Sequence, residues 1–109
     1  MKLSDYVVEF IAGLGVRHVF MLPGGGAMHL NDSLGRCHSL QYVCNLHEQG
    51  GAIAAEAYGQ YAGLGVLMVT TGPGGTNALT GVAGACSNPL RCWSCPDRSN
   101  GLTLSVIAV

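Results

Sequence analysis

Apolar residues recur at helical spacing from the start of the chain: Leu3, Val7, Phe10, Ile11 and Leu14 share one face, with Asp5 and Glu9 on the wet side. Ser4 stands where an N-cap is needed, and the helix is predicted to end near Gly13 to Gly15. Val16 to Leu22 reads as a short buried strand that Pro23-Gly24-Gly25-Gly26 breaks into a loop, and Ala27 to Leu34 can form a second helix. The alternation continues with a strand over Leu40 to Leu46, a helix over Glu48 to Tyr61, a strand over Val66 to Thr71 and a helix over Thr76 to Ala85. Strands separated by helices imply right-handed crossovers. The fold class expected is therefore α/β, a parallel sheet with helices on both faces.

The helix Thr76 to Ala85 is built almost wholly of Ala, Gly, Thr, Leu and Val. Such small side chains allow another backbone to approach closely, either that of a second subunit or that of a helix and sheet in the same domain. After Ala85 the pattern changes. From Ser87 to Gly101 there is no helical or strand period, so the chain divides into an ordered unit over 1–85 and a tail over 86–109 expected to be poorly ordered.

Composition narrows the function classes. The chain has 109 residues, 49% hydrophobic and only 10% charged, which is apolar for a free-standing small domain and implies that much of its surface is covered by a partner. Its net charge of −1 supplies no basic field for nucleic acid and no polybasic patch for a membrane. Asp5 and Glu9 interrupt the apolar stretch that a signal peptide would need, and no apolar run approaches the roughly 20 residues of a bilayer span, so a cytoplasmic location is expected. The odd set Cys37, Cys44, Cys86, Cys92 and Cys95 then reads as reduced thiols.

The chemistry concentrates at two junctions. Glu48, in Cys44-Asn45-Leu46-His47-Glu48-Gln49-Gly50-Gly51-Ala52, stands where a strand gives way to a helix, and a carboxylate there points into the crevice where open parallel sheets bind ligands. The second junction is Thr70-Thr71-Gly72-Pro73-Gly74-Gly75-Thr76-Asn77. A glycine-rich turn opening a helix can also cradle phosphate, but the G-x-x-x-x-G-K-[ST] and G-x-G-x-x-G spacings are absent and no lysine is near. Of His18, His29, His38 and His47, no pair shares a helical face, and only His47 is placed to line a cleft.

Taken together with Gly13-Leu14-Gly15-Val16-Arg17-His18-Val19-Phe20 and Leu22-Pro23-Gly24-Gly25-Gly26, these segments resemble the N-terminal pyrimidine-binding domain of thiamine-diphosphate-dependent enzymes, most closely the acetolactate synthase group. The resemblance covers Met1 to about Ala85. It implies that Glu48 is catalytic, hydrogen-bonding N1′ of the cofactor's aminopyrimidine and favouring the imino tautomer that takes the thiazolium C2 proton. It further implies that Pro23, Gly24, Gly25, His47, Gly72, Pro73, Gly74 and Asn77 join Glu48 in lining the cofactor cleft. No residue of this chain is expected to bind metal. In the family the diphosphate and its Mg²⁺ are held by a separate domain with a Gly-Asp-Gly motif, which this chain lacks.

The resemblance therefore implies an incomplete pyrimidine-domain fold and a fragment that is inactive alone. Its expected partner is a diphosphate-binding domain or a full-length subunit, and the complete enzyme is expected to be a homo-oligomer that decarboxylates a 2-oxo acid and joins the product to an acceptor. The alternative is a catalytically silent interaction module that pairs with a full-length relative. Cys86 to Thr103 can be recoded in another frame, by choice among synonymous codons, to Leu-Glu-Ser-Pro-Pro-Val-Leu-Val-Leu-Ser-Gly-Gln-Val-Lys-Arg-Leu-Asp, which resembles the family's next segment. A frameshift near Cys86 is the expected origin of the tail. The competing reading makes Cys92-Trp93-Ser94-Cys95 a dithiol or zinc motif, although no second pair stands at suitable spacing.

Overall fold

The computed structural model describes residues 1–87 and 104–108. Its elements run α1 (Leu3–Gly13), β1 (His18–Met21), a 3₁₀ turn (Gly25–Ala27), α2 (Met28–Arg36), β2 (Gln41–Cys44), α3 (Glu48–Ala62), β3 (Gly65–Val69), α4 (Pro73–Ser87) and β4 (Leu104–Ala108). The strands stand in the order β2-β1-β3-β4, with every neighbouring pair parallel. The α/β architecture expected from the alternation is thus present, with one strand beyond the three that the pattern predicts. That strand, β4, pairs with β3 in the register Gly65↔Leu104 to Val69↔Ala108.

Period-two alternation along the central strands divides the core into two layers. Val19, Met21, Val66 and Met68 pack on one face with Val8 and Ile11 of α1 and Leu30 and Leu34 of α2. Phe20, Leu67 and Val69 pack on the other with Ala52 and Ala55 of α3 and Ala78, Val82 and Ala85 of α4. The small residues of α4 thus serve packing within the same chain. At the α3–α4 crossing, a Cβ on Gly81 would lie 2.3 Å from the Cβ of Ala52 and 3.2 Å from its carbonyl carbon, so only glycine permits this approach.

Two helix starts differ from the sequence pattern. The N-cap of α1 is Lys2, whose backbone N–H donates to Asp5 Oδ2 at 3.1 Å. With Asp5 filling that role, Ser4 is buried and its hydroxyl donates to Ser33 Oγ at 2.8 Å, tying α1 to α2. Likewise α4 begins at Pro73 rather than Thr76. Gly72 takes φ +68°, a conformation that glycine adopts without strain, and proline suits the first helical position because its missing N–H has no partner there anyway. Gly74 and Gly75 consequently lie in the first turn of α4, not in a loop.

β2 closes one edge of the sheet, and all of its residues are exposed. Its hydrophobic content does not reach the core: Tyr42, Val43 and Leu46 all face outward, and Leu40, just before the strand, is the buried member of that segment. Between β1 and β3 the chain's direction of travel reverses. The segment after β1 leads to α2 on one face, and that after β3 leads to α4 on the other. A crevice at the carboxyl ends of two such strands is where open α/β sheets take their ligands.

Candidate functional site

The residues around that crevice are set by the strand ends. Beyond β2, Asn45 N–H still donates to Met21 O at 2.9 Å, after which the chain turns into α3. His47 is the N-cap of α3 with φ −152°, and its Nδ1 accepts from the Gln49 N–H at 3.1 Å. The His47 ring is thereby committed to capping, from an exposed position. Glu48 follows as the first helical residue, and it is only 7% exposed. Its Oε2 accepts from Asn77 Nδ2 at 3.2 Å, across the α3–α4 crossing.

Glycines crowd around the same point. A Cβ on Gly74 would lie 2.8 Å from Thr70 Cγ2 and 3.6 Å from Glu48 Oε1, and one on Gly24 would lie 2.4 Å from Thr70 Cβ. Thr70, just past β3, therefore fills the gap between the two glycine turns. Glu48, Gly74, Asn77, Thr70 and Gly24 form one connected group, whereas Pro23, Gly25, Gly72 and Pro73 are exposed at its rim. Sequence reasoning assigned no role to Thr70, although a β-branched residue flanked by glycine motifs at a strand end is a legible sign of close packing. It also passed over Asn31, whose Nδ2 donates to Gly24 O at 3.3 Å and holds the first glycine turn from α2.

The buried carboxyl of Glu48 has a neutral amide as its partner, since the ion pairs among the described residues join only Lys2, Asp32 and Arg36. A concavity of about 230 Å³ lies on the α1–α2 side and is lined by Asp5, Val8, Glu9, Ser33, Arg36 and Cys37. There Ser33 Oγ donates to Asp5 Oδ1 at 2.7 Å, and that bond, with the Lys2 backbone N–H, holds the Asp5 carboxyl below its ordinary pKa. His18 is tied elsewhere, to Tyr58 at 2.9 Å and Gln41 at 3.1 Å. Among the described residues, no group of three or more His, Cys, Asp or Glu side chains could hold a metal ion, and Cys37 and Cys44 are free thiols. Cys92 and Cys95 lie outside the described residues.

Comparison with known proteins identifies the class to which this fold and site belong. A family profile described as "Thiamine pyrophosphate enzyme, N-terminal TPP binding domain" matches residues 1–92. The chain belongs to this family. It is 42% identical over 85 residues to a chloroplastic acetolactate synthase of Arabidopsis thaliana, an alignment that covers 77% of this chain and 13% of that protein. It is 41% identical over 83 residues to the acetolactate synthase large subunit of Lactococcus lactis subsp. lactis (strain IL1403), covering 75% of this chain and 14% of the relative. The chain thus spans about one seventh of the length of the curated relatives it matches. No helix among the described residues is long and apolar enough to cross a membrane.

Proposed function

We propose that this chain supplies the aminopyrimidine wall of a thiamine-diphosphate site in an acetolactate-synthase-like enzyme, with Glu48 as the proton-exchanging group at ring N1′. The observation that carries this reading is a carboxyl only 7% exposed at the start of α3, beside Gly74 in the first turn of α4, with Thr70 wedged between Gly74 and Gly24 of the turn after β1. The residues fit the pyrimidine half of the cofactor. A buried acid can share a proton with a ring nitrogen, and at the rim Gly25 and Gly72 have open space where a side chain would stand. None of the residues named in the site is cationic, so the diphosphate and its Mg²⁺ are assigned to a domain of a partner or of a longer chain. When bound, thiamine diphosphate supplies the carbanion chemistry for decarboxylating a 2-oxo acid and joining the product to an acceptor.

In this reading Glu48 holds or releases the proton, Thr70 keeps the glycine turns at their separation, and Asn31 anchors the Gly24 carbonyl. General acid–base groups of this kind contribute about 10²–10⁴-fold. Carboligation of pyruvate, measured with this chain mixed with a separate diphosphate-binding domain, is expected to fall by at least about 100-fold in Glu48→Gln. Equal turnover by the variant and the parent would refute the assignment.

A second reading, an interaction module without turnover, is favoured by the apolar surface of the described residues. Leu46 is fully exposed and Tyr61 is 93% exposed, with Ile53 and Leu79 on the outer sides of α3 and α4. Stable association with a full-length relative, with no carboligation under any mixing ratio, is the outcome that selects this reading. The division of the chain into a pyrimidine-binding unit over 1–85 and an unrelated tail over 86–109 is part of the same proposal, and sequencing of the encoding DNA across codon 86 tests it.

A further inference from the structure

The two carboxyl oxygens of Glu48 have different surroundings. Oε2 accepts from Asn77 Nδ2 at 3.2 Å, whereas Oε1 lies on the Gly74 side, 3.6 Å from where a Cβ on that residue would stand. An amide nitrogen only donates, so Oε2 is committed as an acceptor, and the opposite amide orientation would set oxygen against oxygen. The reach from α4 to α3 depends on the Gly81–Ala52 contact, one turn further along α4.

We propose that Asn77 is a positioning residue that acts through Glu48: by fixing Oε2 it leaves Oε1 as the oxygen that exchanges a proton with the pyrimidine. The inference rests on the reading of Glu48 given above. With the proton on Oε1, Asn77 bonds the carbonyl oxygen of a neutral acid. When that proton passes to ring N1′, the O–H bond breaks, an N–H bond forms and the carboxyl gains one negative charge. The amide bond to Oε2 is then charge-assisted and stronger. Asn77 therefore favours the state left by the transfer and prevents the carboxyl from rotating between its two oxygens.

Because Asn77 is otherwise exposed, direct contact with the ligand is the rival account, and three measurements on the 109-residue chain separate the two. In a double-mutant cycle of Glu48→Ala and Asn77→Ala, the unfolding equilibrium constant is expected to depart from additivity by about threefold to tenfold, the range of a typical net hydrogen bond. At fixed pH, the carbon resonance of the Glu48 carboxyl is expected to move in Asn77→Asp, which keeps the side-chain shape but loses the donor, and to stay in place in Thr80→Ala. An additive cycle together with an unmoved resonance overturns the proposal.

The third measurement is titration with thiamine diphosphate and Mg²⁺ in the presence of a separate diphosphate-binding domain. Asn77→Asp and Asn77→Ala are each expected to weaken binding about threefold to tenfold when Glu48 is present, and not at all in the Glu48→Ala background. Equal weakening in both backgrounds means that Asn77 touches the ligand directly and overturns the proposal. Unchanged binding in Glu48→Ala itself would instead refute the assigned function, while the unfolding cycle and the resonance still decide whether Asn77 holds Glu48.

Discussion

The two faces of the sheet are held by opposite means. On the α1–α2 face large side chains interlock: Val8, Ile11, Leu30 and Leu34 meet Val19, Met21, Val66 and Met68. On the α3–α4 face alanines and glycines let helix backbones come close, with Gly81 against Ala52. Bulk tolerates small displacements because side chains can repack, whereas a backbone-to-backbone contact fixes a distance. The candidate site lies on the second face, where a 3.2 Å bond between two helices needs that distance held.

Truncating the bulky face is the harshest test of this contrast. Leu34→Ala removes a side chain that is 1% exposed and is expected to lower stability by about 2–5 kcal/mol in chemical unfolding. The Glu48 carboxyl carbon resonance should stay where it is. A shifted resonance would show that the faces are not independent.

Gly81→Ala probes the other face. The gain in helix propensity, about 1 kcal/mol, is opposed by an overpacking cost of about 1–3 kcal/mol, because the added Cβ meets the Ala52 backbone as well as its methyl. Net destabilisation and loss of the Asn77–Glu48 coupling are expected, with partial recovery in Gly81→Ala combined with Ala52→Gly. Recovery would show that distance, rather than composition, sets the site.

Gly24→Ala should affect binding and stability to a similar extent. Its Cβ would collide with Thr70 at 2.4 Å, so the turn after β1 must move away from β3. Thiamine diphosphate affinity is expected to fall about threefold to tenfold, with unfolding free energy changed by about 1 kcal/mol. Thr70→Gly, which removes all three Thr70 atoms that the methyl would meet, should restore part of the affinity.

The smallest effect lies on the α1–α2 side. The folded-state pKa of Asp5 is depressed, chiefly by the Ser33 hydroxyl, so its contribution to stability is present above the ordinary carboxylate value of 3.8. It is lost as pH falls through the lower, folded-state value. Ser33→Ala is expected to flatten this acid limb in a pH series of unfolding midpoints while leaving the neutral-pH behaviour of the site untouched.

The elements with a clean period were legible without coordinates. Apolar spacing gave the helix α1 but not its inner face, since Leu3, Phe10 and Leu14 are exposed while Ser4, Val8 and Ile11 are buried. The uninterrupted run Val66 to Val69 gave β3, buried throughout. Errors fell where a side chain had two possible uses. Ser4 looked like a cap until Asp5 took the acceptor role, and Gly74-Gly75 looked like a loop although proline at the first helical position had already started α4. Tyr42, Val43 and Leu46 are apolar yet exposed, because an edge strand has a neighbour on one side only and periodicity cannot say which strand that will be.

Local spacing and residue chemistry determined the succession of helices and strands from α1 to α4, the junction that carries Glu48 and the glycine turns that carry the resemblance. These depend on neighbours a few positions apart, which a linear reading contains. The partner of Glu48, the wedge made by Thr70 and the hold of Asn31 on Gly24 were decided only by the tertiary structure. Each is a contact between segments set side by side by the sheet order and by one helix crossing, and those distances exist only once the chain has closed on itself.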